Sequence, residues 1–357
     1  MLGTAALQLN HTTAAQPRIN LIGKAVRIAA TATAIVVSCA GFTFAQDTVK
    51  DKNQRRNIVS YTRDIKITLL GTGTPLPSVD RFGPSTLIEA NGQYFLFDCG
   101  RGASQRLWEN KIQLGKINNV FITHLHSDHI VGFPDLWLTG WLPANFGRRQ
   151  VPIEVWGPKG IEQMSKGLQT AYAWDIEVRN YGKNKFDSAI LIKTHTISEG
   201  IIYDKDGVQV IAFLVDHGDF IDNAFGFRFN YKEHSVVISG DTKYSENLIK
   251  NSKNVDVLIH EVAFAHPELI KKSQTAREIQ SLHTTPEEAA KLFSTVSPEL
   301  AIYSHIALIL TDPSIPAANI SDLIPRTKNI YDGRLEIGED NMIIEIGEKI
   351  TVKGKTK

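Results

Sequence analysis

Short apolar runs separated by turn residues dominate the chain from residue 65 onward. The runs Ile65–Leu70, Thr86–Ala90 and Tyr94–Phe97 predict neighbouring strands, because β-branched and aromatic residues favour a pleated, half-buried backbone. The dipeptide Asn91-Gly92 between the last two runs indicates a tight hairpin turn, since both residues tolerate positive φ angles. We therefore predict adjacent strands at the start of the folded body.

Helix and strand signals alternate along the rest of the body. Helices are predicted near Ser104–Asn110, over Gly160–Trp174, and after Thr285, where a Pro and two acidic residues follow the capping Thr. Mixed strands with interleaved helices over about 300 residues predict an α/β sandwich. The later strand candidates are Asn119–Thr123, Ile153–Trp156, Val208–Val215, Phe225–Phe229, Ser235–Ser239, Val257–His260, Ala301–Ser304 and Met342–Ile346.

The N-terminal part of the chain follows a different pattern. Arg18, Lys24 and Arg27 precede an uncharged run of apolar and small residues, Ile28–Ala45. A basic region, an apolar core and a small residue at the exit are typical of a secretory signal peptide. We therefore predict that residues 1–45 are a signal peptide removed on export.

Export divides the chain into a leader and a body. Residues 46–63 are predicted to be a flexible leader, and residues 64–357 a single folded domain that is periplasmic or secreted. Two alternatives stay open: attachment to a lipid through Cys39, and an uncleaved anchor helix, since the apolar run lies near the short end of the spanning range. After signal cleavage, no integral membrane domain is expected.

Composition removes several classes of function. The 357 residues are 42% hydrophobic and 22% charged, which is ordinary for a globular protein, and the formal net charge is +1. No long-range field therefore favours nucleic acid or an anionic membrane. The two cysteines, Cys39 and Cys99, are too few for a thiolate metal cluster, and loss of Cys39 on export would leave no intramolecular disulfide.

The candidate chemistry is concentrated after the apolar segment Val120-Phe121-Ile122. Four candidate metal ligands follow within six residues: His124, His126, Asp128 and His129. Residues at i and i+2 of an extended backbone point the same way, so the first two histidines can hold one metal ion. The other two lie where the chain turns into a helix and can face a second ion. Imidazole and carboxylate are ligands that zinc accepts.

Further ligands must come from elsewhere in the chain. His217, Asp241 and His305 each follow a predicted strand, where they would meet at one edge of a sheet. A carboxylate such as Asp241 can bridge two cations through its two oxygens. Each of these residues taken alone is more often an ordinary loop or core residue, but together with the HxHxDH stretch they predict a dinuclear centre.

Taken together, these motifs resemble the metallo-β-lactamase superfamily, and within it the branch of tRNase Z and the arylsulfatase-like hydrolases. The resemblance spans roughly residues 65 to 305 and implies a four-layer αββα sandwich with the site on loops at one edge of the sheets. Besides HxHxDH, its motifs are Leu70-Gly71-Thr72-Gly73-Thr74-Pro75, Phe97-Asp98-Cys99-Gly100 with Gln105-Arg106, Ser239-Gly240-Asp241-Thr242, His260-Glu261, His283-Thr284 and His305.

The resemblance also implies a ligand set for two Zn²⁺ per chain. The first ion would be held by His124, His126 and His217, and the second by Asp128, His129 and His305, with Asp241 bridging. A water shared by two cations has a lowered pKa, so a metal-bridging hydroxide would be the nucleophile. Asp128 would also orient or deprotonate that water.

Three acidic or basic residues beside the ligands receive supporting roles from the resemblance. Glu261 and His283 would form a pair in which the histidine protonates the leaving oxygen and the carboxylate keeps it charged. The alternative is that His283 is an ordinary residue before a helix. Asp98 would support the metal loop. The remaining histidines of the body are expected to have surface or structural roles: His195, His234 and His266.

The substrate is predicted to be a small or medium anionic ester, either a phosphodiester or a sulfate ester. Pro77 and Arg81 fit the tRNase Z loop that contacts the tRNA end, but Val79 and Phe82 replace its lysine and asparagine. Together with export, this departure makes tRNA an unlikely substrate. The alternatives are β-lactam or lactone hydrolysis and a non-catalytic metal-binding module.

Two further features stay open at this point. Aromatic residues after the metal loop either line an apolar substrate pocket or, in the simpler interpretation, pack against the sheets. They are Trp137, Trp141, Trp156, Tyr172 and Trp174. The oligomeric state is not determined by the sequence, and a homodimer is among the open arrangements.

Overall fold

A computed structural model describes residues 63–182, 187–221 and 223–354. The predicted signal peptide, Cys39 and the leader up to residue 62 lie outside the described residues. In the part of the chain that is described, no helix is long and apolar enough to cross a membrane.

The described residues form strands and helices in an alternating order. In chain order the strands are β1 (Arg63–Gly71), β2 (Ser85–Ala90), β3 (Gln93–Phe97), β4 (Asn119–Phe121), β5 (Ile153–Gly157), β6 (Ile192–Thr196), β7 (Gly200–Lys205), β8 (Val208–Val215), β9 (Ala224–Tyr231), β10 (His234–Ile238), β11 (Val257–Ala265), β12 (Leu300–Ile309), β13 (Leu335–Ile337), β14 (Ile343–Gly347) and β15 (Thr351–Lys353). The α-helices are α1 (Ala103–Glu109), α2 (Ser127–Ile130), α3 (Phe133–Trp141), α4 (Ile161–Ala171), α5 (Ala173–Asn180), α6 (Glu246–Asn251), α7 (Pro267–Lys272), α8 (Gln274–Gln280), α9 (Pro286–Val296) and α10 (Leu323–Lys328).

The strands form two mixed sheets. The first has the order β15-β14-β1-β2-β3-β4-β5-β6, and the second has the order β13-β12-β11-β10-β9-β8-β7. The predicted hairpin joins β2 and β3, and its turn residues Asn91 and Gly92 have φ angles of 48° and 69°. These positive values are the ones that a two-residue hairpin turn requires.

A layer of buried aromatic side chains lies between the two sheets. Phe97 and Phe121 stack with ring centroids 5.0 Å apart, and Phe227 of the facing sheet lies 5.5 Å from Phe97. Separate apolar clusters cover the outer face of each sheet, one including residues of α1 and α3 and the other including residues of α6 and α9. Helices therefore cover both sheets, which confirms the predicted αββα sandwich.

The aromatic residues after the metal loop belong mainly to this packing. Trp137, Trp141 and Trp156 are buried in the apolar clusters, whereas Tyr172 and Trp174 are exposed on the α4–α5 segment. The predicted helix Gly160–Trp174 is in fact two helices, because the backbone leaves helical geometry at Tyr172. Several elements of the structure were not predicted from the sequence: β6, β7, β13, β15, α3, α6, α7, α8 and α10.

Parallel pairing places the candidate chemistry at one edge. Strands β3, β4 and β5 run parallel in the first sheet, as do β10, β11 and β12 in the second. The carboxyl ends of parallel strands meet at the same edge of a sheet, where loops collect side chains from distant parts of the chain. The loops after β3, β4 and β10 therefore bring their polar residues to this edge.

One strand differs from its prediction in a way that matters for the site. The run Ala301–Ser304 was expected to end before His305, but β12 continues to Ile309. In its pairing with β11, Glu261 faces Ser304 and Val262 faces Ile306, so His305 is an extra residue in a β-bulge. Its φ of 42° lies in the left-handed region. A bulge changes the direction of a side chain without ending the strand.

Candidate metal centre

The loop after β4 is held in place by one buried carboxylate. Asp98 accepts hydrogen bonds from the backbone N–H of Thr123 at 2.8 Å and from its hydroxyl at 2.9 Å. The same carboxylate lies 2.8 Å from Nδ1 of His129. The loop therefore enters the short helix α2 with a fixed orientation, and Asp128 and His129 of its first turn are buried against the sheets.

Three histidines converge on one side of the site. Nε2 of His124 lies 2.9 Å from Nδ1 of His126, and Nε2 of His217 lies 3.3 Å from the same atom. The other ring nitrogen of His217 is 3.0 Å from the carbonyl oxygen of Leu282, which fixes the ring orientation. Burial lowers the pKa of all three imidazoles. Neutral rings whose lone pairs converge in this way are suited to holding a cation.

A second group lies beside the first. Nε2 of His305 is 3.2 Å from Oδ2 of Asp128, and Nε2 of His129 is 3.6 Å from the same oxygen. All three side chains are buried. Burial opposes the charge of Asp128, but its hydrogen bond with His305 and the charge of His129 lower its pKa overall. The group therefore presents two imidazoles and one ionised carboxylate.

Asp241 joins the two groups. Its Oδ2 lies between 3.3 and 3.9 Å from Nε2 of four histidines, two from each group: His124, His217, His129 and His305. Although burial opposes ionisation of Asp241, His305 and His129 hold the pKa of that carboxyl well below its usual range. A carboxylate in this position can serve both halves of a dinuclear site.

The donor set fits metal ions better than it fits an internal hydrogen-bond network. Oδ1 of Asp241 and Nε2 of His129 are buried and have no hydrogen-bond partner within the described residues. Buried polar atoms are normally paired, so unpaired ones at a convergent site call for an explanation. Burial also opposes the charge of His129, yet the carboxylates of Asp241 and Asp98 raise its pKa well above the ordinary value.

Glu261 and His283 lie at the border of the centre. Oε2 of Glu261 is 3.3 Å from Nδ1 of His283, and its Oε1 accepts hydrogen bonds from the backbone N–H groups of Thr284 at 2.8 Å and Thr242 at 3.4 Å. Burial opposes the charge of His283, but Glu261 and Asp241 raise its pKa to about 9. Its ring stacks on His305 with ring centroids 5.6 Å apart, so an imidazole with a raised pKa lies beside the candidate metal ligands.

The structure thus brings together every residue that the sequence analysis placed at the site, and it separates the three histidines that were expected to have other roles. His195 stacks on Trp156 and contacts Glu154, His234 lies between Asp64 and Asp256, and His266 caps α7. Sequence reasoning missed Asp340, a buried carboxylate whose partners adjoin the second group. Nothing in its spacing from the histidines indicated a role.

One known protein family matches most of the folded part of the chain. Residues 65–295 match the family described as Anti-Pycsar protein Apyc1. The ribonuclease Z of Mycobacterium sp. (strain KMS) is 31% identical over 289 residues, covering 81% of this chain and 99% of that protein. The ribonuclease Z of Mycobacterium marinum (strain ATCC BAA-535 / M) is 32% identical over 282 residues, covering 79% of this chain and 99% of that protein.

Solved structures share the fold at lower identity. The metallo-β-lactamase fold protein YhfI of Bacillus subtilis has a TM-score of 0.62 and 17% identity, covering 79% of this chain and 99% of that one. Human tRNase Z, short form, has a TM-score of 0.52 and 22% identity, covering 78% of this chain and 98% of that one. With its two helix-covered sheets and its site at their common edge, this chain belongs to the Anti-Pycsar protein Apyc1 family, within the metallo-β-lactamase superfamily of metal-dependent hydrolases.

Proposed function

We propose that the chain hydrolyses a phosphodiester in a small or medium anionic molecule, with two zinc ions per chain. The observation that carries this proposal is the position of Asp241, whose Oδ2 lies within 3.9 Å of histidines from both groups. A single-metal site would not need a carboxylate between two complete sets of donors. A dinuclear site suits displacement at phosphorus, because it stabilises both the attacking and the leaving oxygen.

The residues of the centre have separate proposed roles. His124, His126 and His217 would hold one cation, and Asp128, His129 and His305 the other, with Asp241 shared between them. When bound, the cations supply Lewis acidity and lower the pKa of water. Asp128 would orient the attacking water through the oxygen that it does not use as a ligand.

Departure of an alkoxide leaving group needs a proton, and His283 would supply it. Its pKa of about 9 keeps the imidazole protonated at neutral pH in the metal-free protein. Glu261 is fixed by the backbone N–H of Thr284 and so holds the imidazole in position. An alkoxide leaving group is a strong base, so a positioned acid accelerates its departure by roughly 10²–10⁴-fold.

The loop residues 77–82 argue against tRNA as the substrate, although the curated relatives are named ribonuclease Z. Val79 is exposed where a lysine would supply charge, and Phe82 packs under the guanidinium of Arg106 at 4.3 Å. Phe82 is therefore occupied in packing. The predicted export points the same way, since it would remove the protein from cytoplasmic tRNA.

Four substrates, offered to the protein as residues 47–357, separate the candidate activities. They are bis(p-nitrophenyl) phosphate, p-nitrophenyl sulfate, a chromogenic cephalosporin and a precursor tRNA with a 3′ trailer. Metal content is measured in parallel by mass spectrometry. We expect about two zinc ions per chain and phosphodiester turnover that exceeds the other three by at least about tenfold, because the two-metal site is suited to displacement at phosphorus.

A matched pair of histidine variants provides the control. His126→Ala removes a proposed ligand, and His234→Ala removes a histidine at the opposite end of the same sandwich, where it contacts Asp64 and Asp256. Only the first variant should lose metal and turnover. Turnover of the cephalosporin alone would identify the protein as a β-lactam hydrolase. Cleavage of the tRNA alone would identify it as a tRNA-processing enzyme, and turnover of the sulfate alone would identify it as a sulfatase. Two bound metals without any turnover would leave a metal-binding module.

The location of the protein is a separate proposal. We expect export to the periplasm or medium, with cleavage after Ala45, from the signal-like pattern of residues 18–45. Mass spectrometry of the N-terminus after expression of the full chain tests this directly. A mature chain that starts at Gln46 supports it, a lipid on Cys39 supports the anchored form, and an intact Met1 with cytoplasmic location overturns it.

A further inference from the structure

We infer that Asp340 is a positioning residue for the second group of metal ligands, acting through the loop of residues 72–83. This loop, here called the support loop, joins β1 to β2. Asp340 lies in the connection between β13 and β14, outside the residues 65–295 that match the family. The inference rests on the metal centre of the proposed function and adds a residue that the motifs do not contain.

Asp340 holds both ends of the support loop at once. Its Oδ1 accepts hydrogen bonds from the backbone N–H of Thr72 at 3.0 Å and from its hydroxyl at 2.9 Å. Its Oδ2 accepts one from the backbone N–H of Phe82 at 2.8 Å. The carboxylate is buried, so these bonds are shielded from water. One side chain therefore fixes the distance between the two ends of the loop.

A buried arginine completes the arrangement. Arg106 of α1 donates to Oδ2 of Asp340 from Nη2 at 3.0 Å and from Nε at 3.2 Å, and its guanidinium lies over the ring of Phe82 at 4.3 Å. An unpaired buried carboxylate would be costly, so the two charges depend on each other. The planar guanidinium can donate from two nitrogens and stack at the same time, which an ammonium cannot.

One end of the support loop contacts the residue that follows His305, and the other end contacts Asp128. The carbonyl of Thr72 accepts a hydrogen bond from the backbone N–H of Ile306 at 3.0 Å, directly after the bulge residue His305. At the other end, a Cβ on Gly83 would lie 3.0 Å from the carbonyl oxygen of Asp128, so the two backbones are in contact. The loop therefore supports His305 on one side and Asp128 on the other.

The bulge needs such support because its backbone is strained. A histidine at a φ of 42° occupies the left-handed region, which costs a non-glycine residue free energy and persists only when its surroundings determine it. The bond from Ile306 to Thr72 is one such constraint, and Asp340 holds Thr72. No contact of this kind links the support loop to His124, His126 or His217 in the described residues, so the effect should be confined to one half of the centre.

The test is a zinc titration of the purified protein against a chelator of known affinity, which measures the two binding steps separately. In Asp340→Asn, the amide nitrogen faces donors on one side or the other, so one end of the support loop is released. We expect the affinity of one binding step, the one that fills the second group, to fall by roughly 10- to 100-fold, the range seen when groups that orient metal ligands are lost. The other step should stay within about twofold of the wild type.

A matched variant separates positioning from general loss of stability. Asp256 also accepts a backbone N–H, that of Ser235, but at the opposite end of β10 from Asp241. Asp256→Asn should lower the unfolding temperature and leave both zinc affinities unchanged. Arg106→Lys, which keeps the charge but loses the two-nitrogen contact, should reproduce the selective effect of Asp340→Asn in a milder form.

The outcomes are distinct from those for the proposed function. Equal weakening of both steps, or none, in Asp340→Asn would overturn the inference, because a positioning role predicts a selective effect. If Asp340→Asn does not fold, the same criterion applies to Arg106→Lys. If the wild type binds two zinc ions and cleaves no ester, the proposed function fails, but a selective effect of Asp340→Asn on one of the two binding steps can still be measured.

Discussion

Oδ2 of Asp98 lies 2.8 Å from Nδ1 of His129, at the point where the strand β3 and the metal loop meet. Because Asp98 also accepts the backbone N–H of Thr123, the same carboxylate fixes both the path of the loop and the orientation of one ring within it. It leaves Nε2 of His129 directed towards Asp128 and Asp241. Asp98 therefore orients the candidate metal ligand His129 in the absence of a cation.

This relationship makes Asp98 the first residue to change. In Asp98→Asn the amide has one acceptor oxygen fewer, so it cannot keep the contacts with Thr123 and His129 together. We expect metal affinity to fall by roughly 10- to 100-fold, as for other groups that orient metal ligands. Competition with a chelator measures this. The control is Asp135→Asn, an exposed carboxylate on α3 that bonds only Thr139 in the described part of the chain, and an equal effect of both variants would contradict the prediction.

Asp241 is expected to be the residue on which the dinuclear character depends. Asp241→Asn removes the negative charge that lies between four imidazoles, and an amide nitrogen cannot act as a ligand. We expect the metal content to fall from about two ions per chain to one or fewer, with turnover reduced by at least about 10³-fold because the proposed reaction would need both cations. Inductively coupled plasma mass spectrometry and a diester assay check this, and a variant with two ions and full turnover would show that Asp241 does not bridge.

The role of His283 can be tested through the leaving group. A p-nitrophenolate leaves without a proton, whereas an alkoxide needs one. His283→Ala should therefore reduce kcat for an alkyl phosphodiester by roughly 10²–10⁴-fold and change kcat for bis(p-nitrophenyl) phosphate much less. Metal content should stay at the wild-type value. Equal losses on both substrates would mean that His283 does not act as the acid.

A pH dependence follows from the same histidine in the metal-free protein. Burial opposes its charge, yet Glu261 and Asp241 raise the pKa of His283 to about 9. A raised pKa means that the stability contributed by the charged imidazole is fully present below its unfolded value of about 6.5 and is lost as the pH rises through about 9. In Glu261→Gln we expect this pKa to fall by at least about one unit. An NMR titration of the imidazole signal measures it, and an unchanged pKa would remove Glu261 as its partner.

Removal of the metal should destabilise the fold. The centre collects buried carboxylates and imidazoles from both sheets, and a cation that binds only the folded state stabilises it in proportion to the logarithm of its concentration over its Kd. We expect a chelator to lower the Tm of the wild type by several degrees and to leave that of Asp241→Asn nearly unchanged. Differential scanning calorimetry with and without chelator decides this. Equal responses of the two proteins would mean that the chelator acts elsewhere.

The elements that the sequence predicted well are those whose signal is local. Asn91-Gly92 specifies its hairpin through backbone preferences alone, and Thr285-Pro286 opens α9 with both bonds of a capping box present. The HxHxDH stretch indicates metal chemistry because four candidate ligands within six residues rarely arise by chance. In each case the information lies within a few consecutive residues. Folding places these residues but does not create the pattern.

Tertiary structure determined the features that depend on residues far apart in the chain. Sequence placed His305 after a strand, but only pairing with β11 makes it a bulge residue with a φ of 42°, because register is a property of two strands. Likewise, Asp340 is one acidic residue among many until folding buries it against Thr72 and Arg106, which are 268 and 234 positions away. The sequence by itself determined which side chains could hold metal, while packing of the two sheets determined how they are aimed.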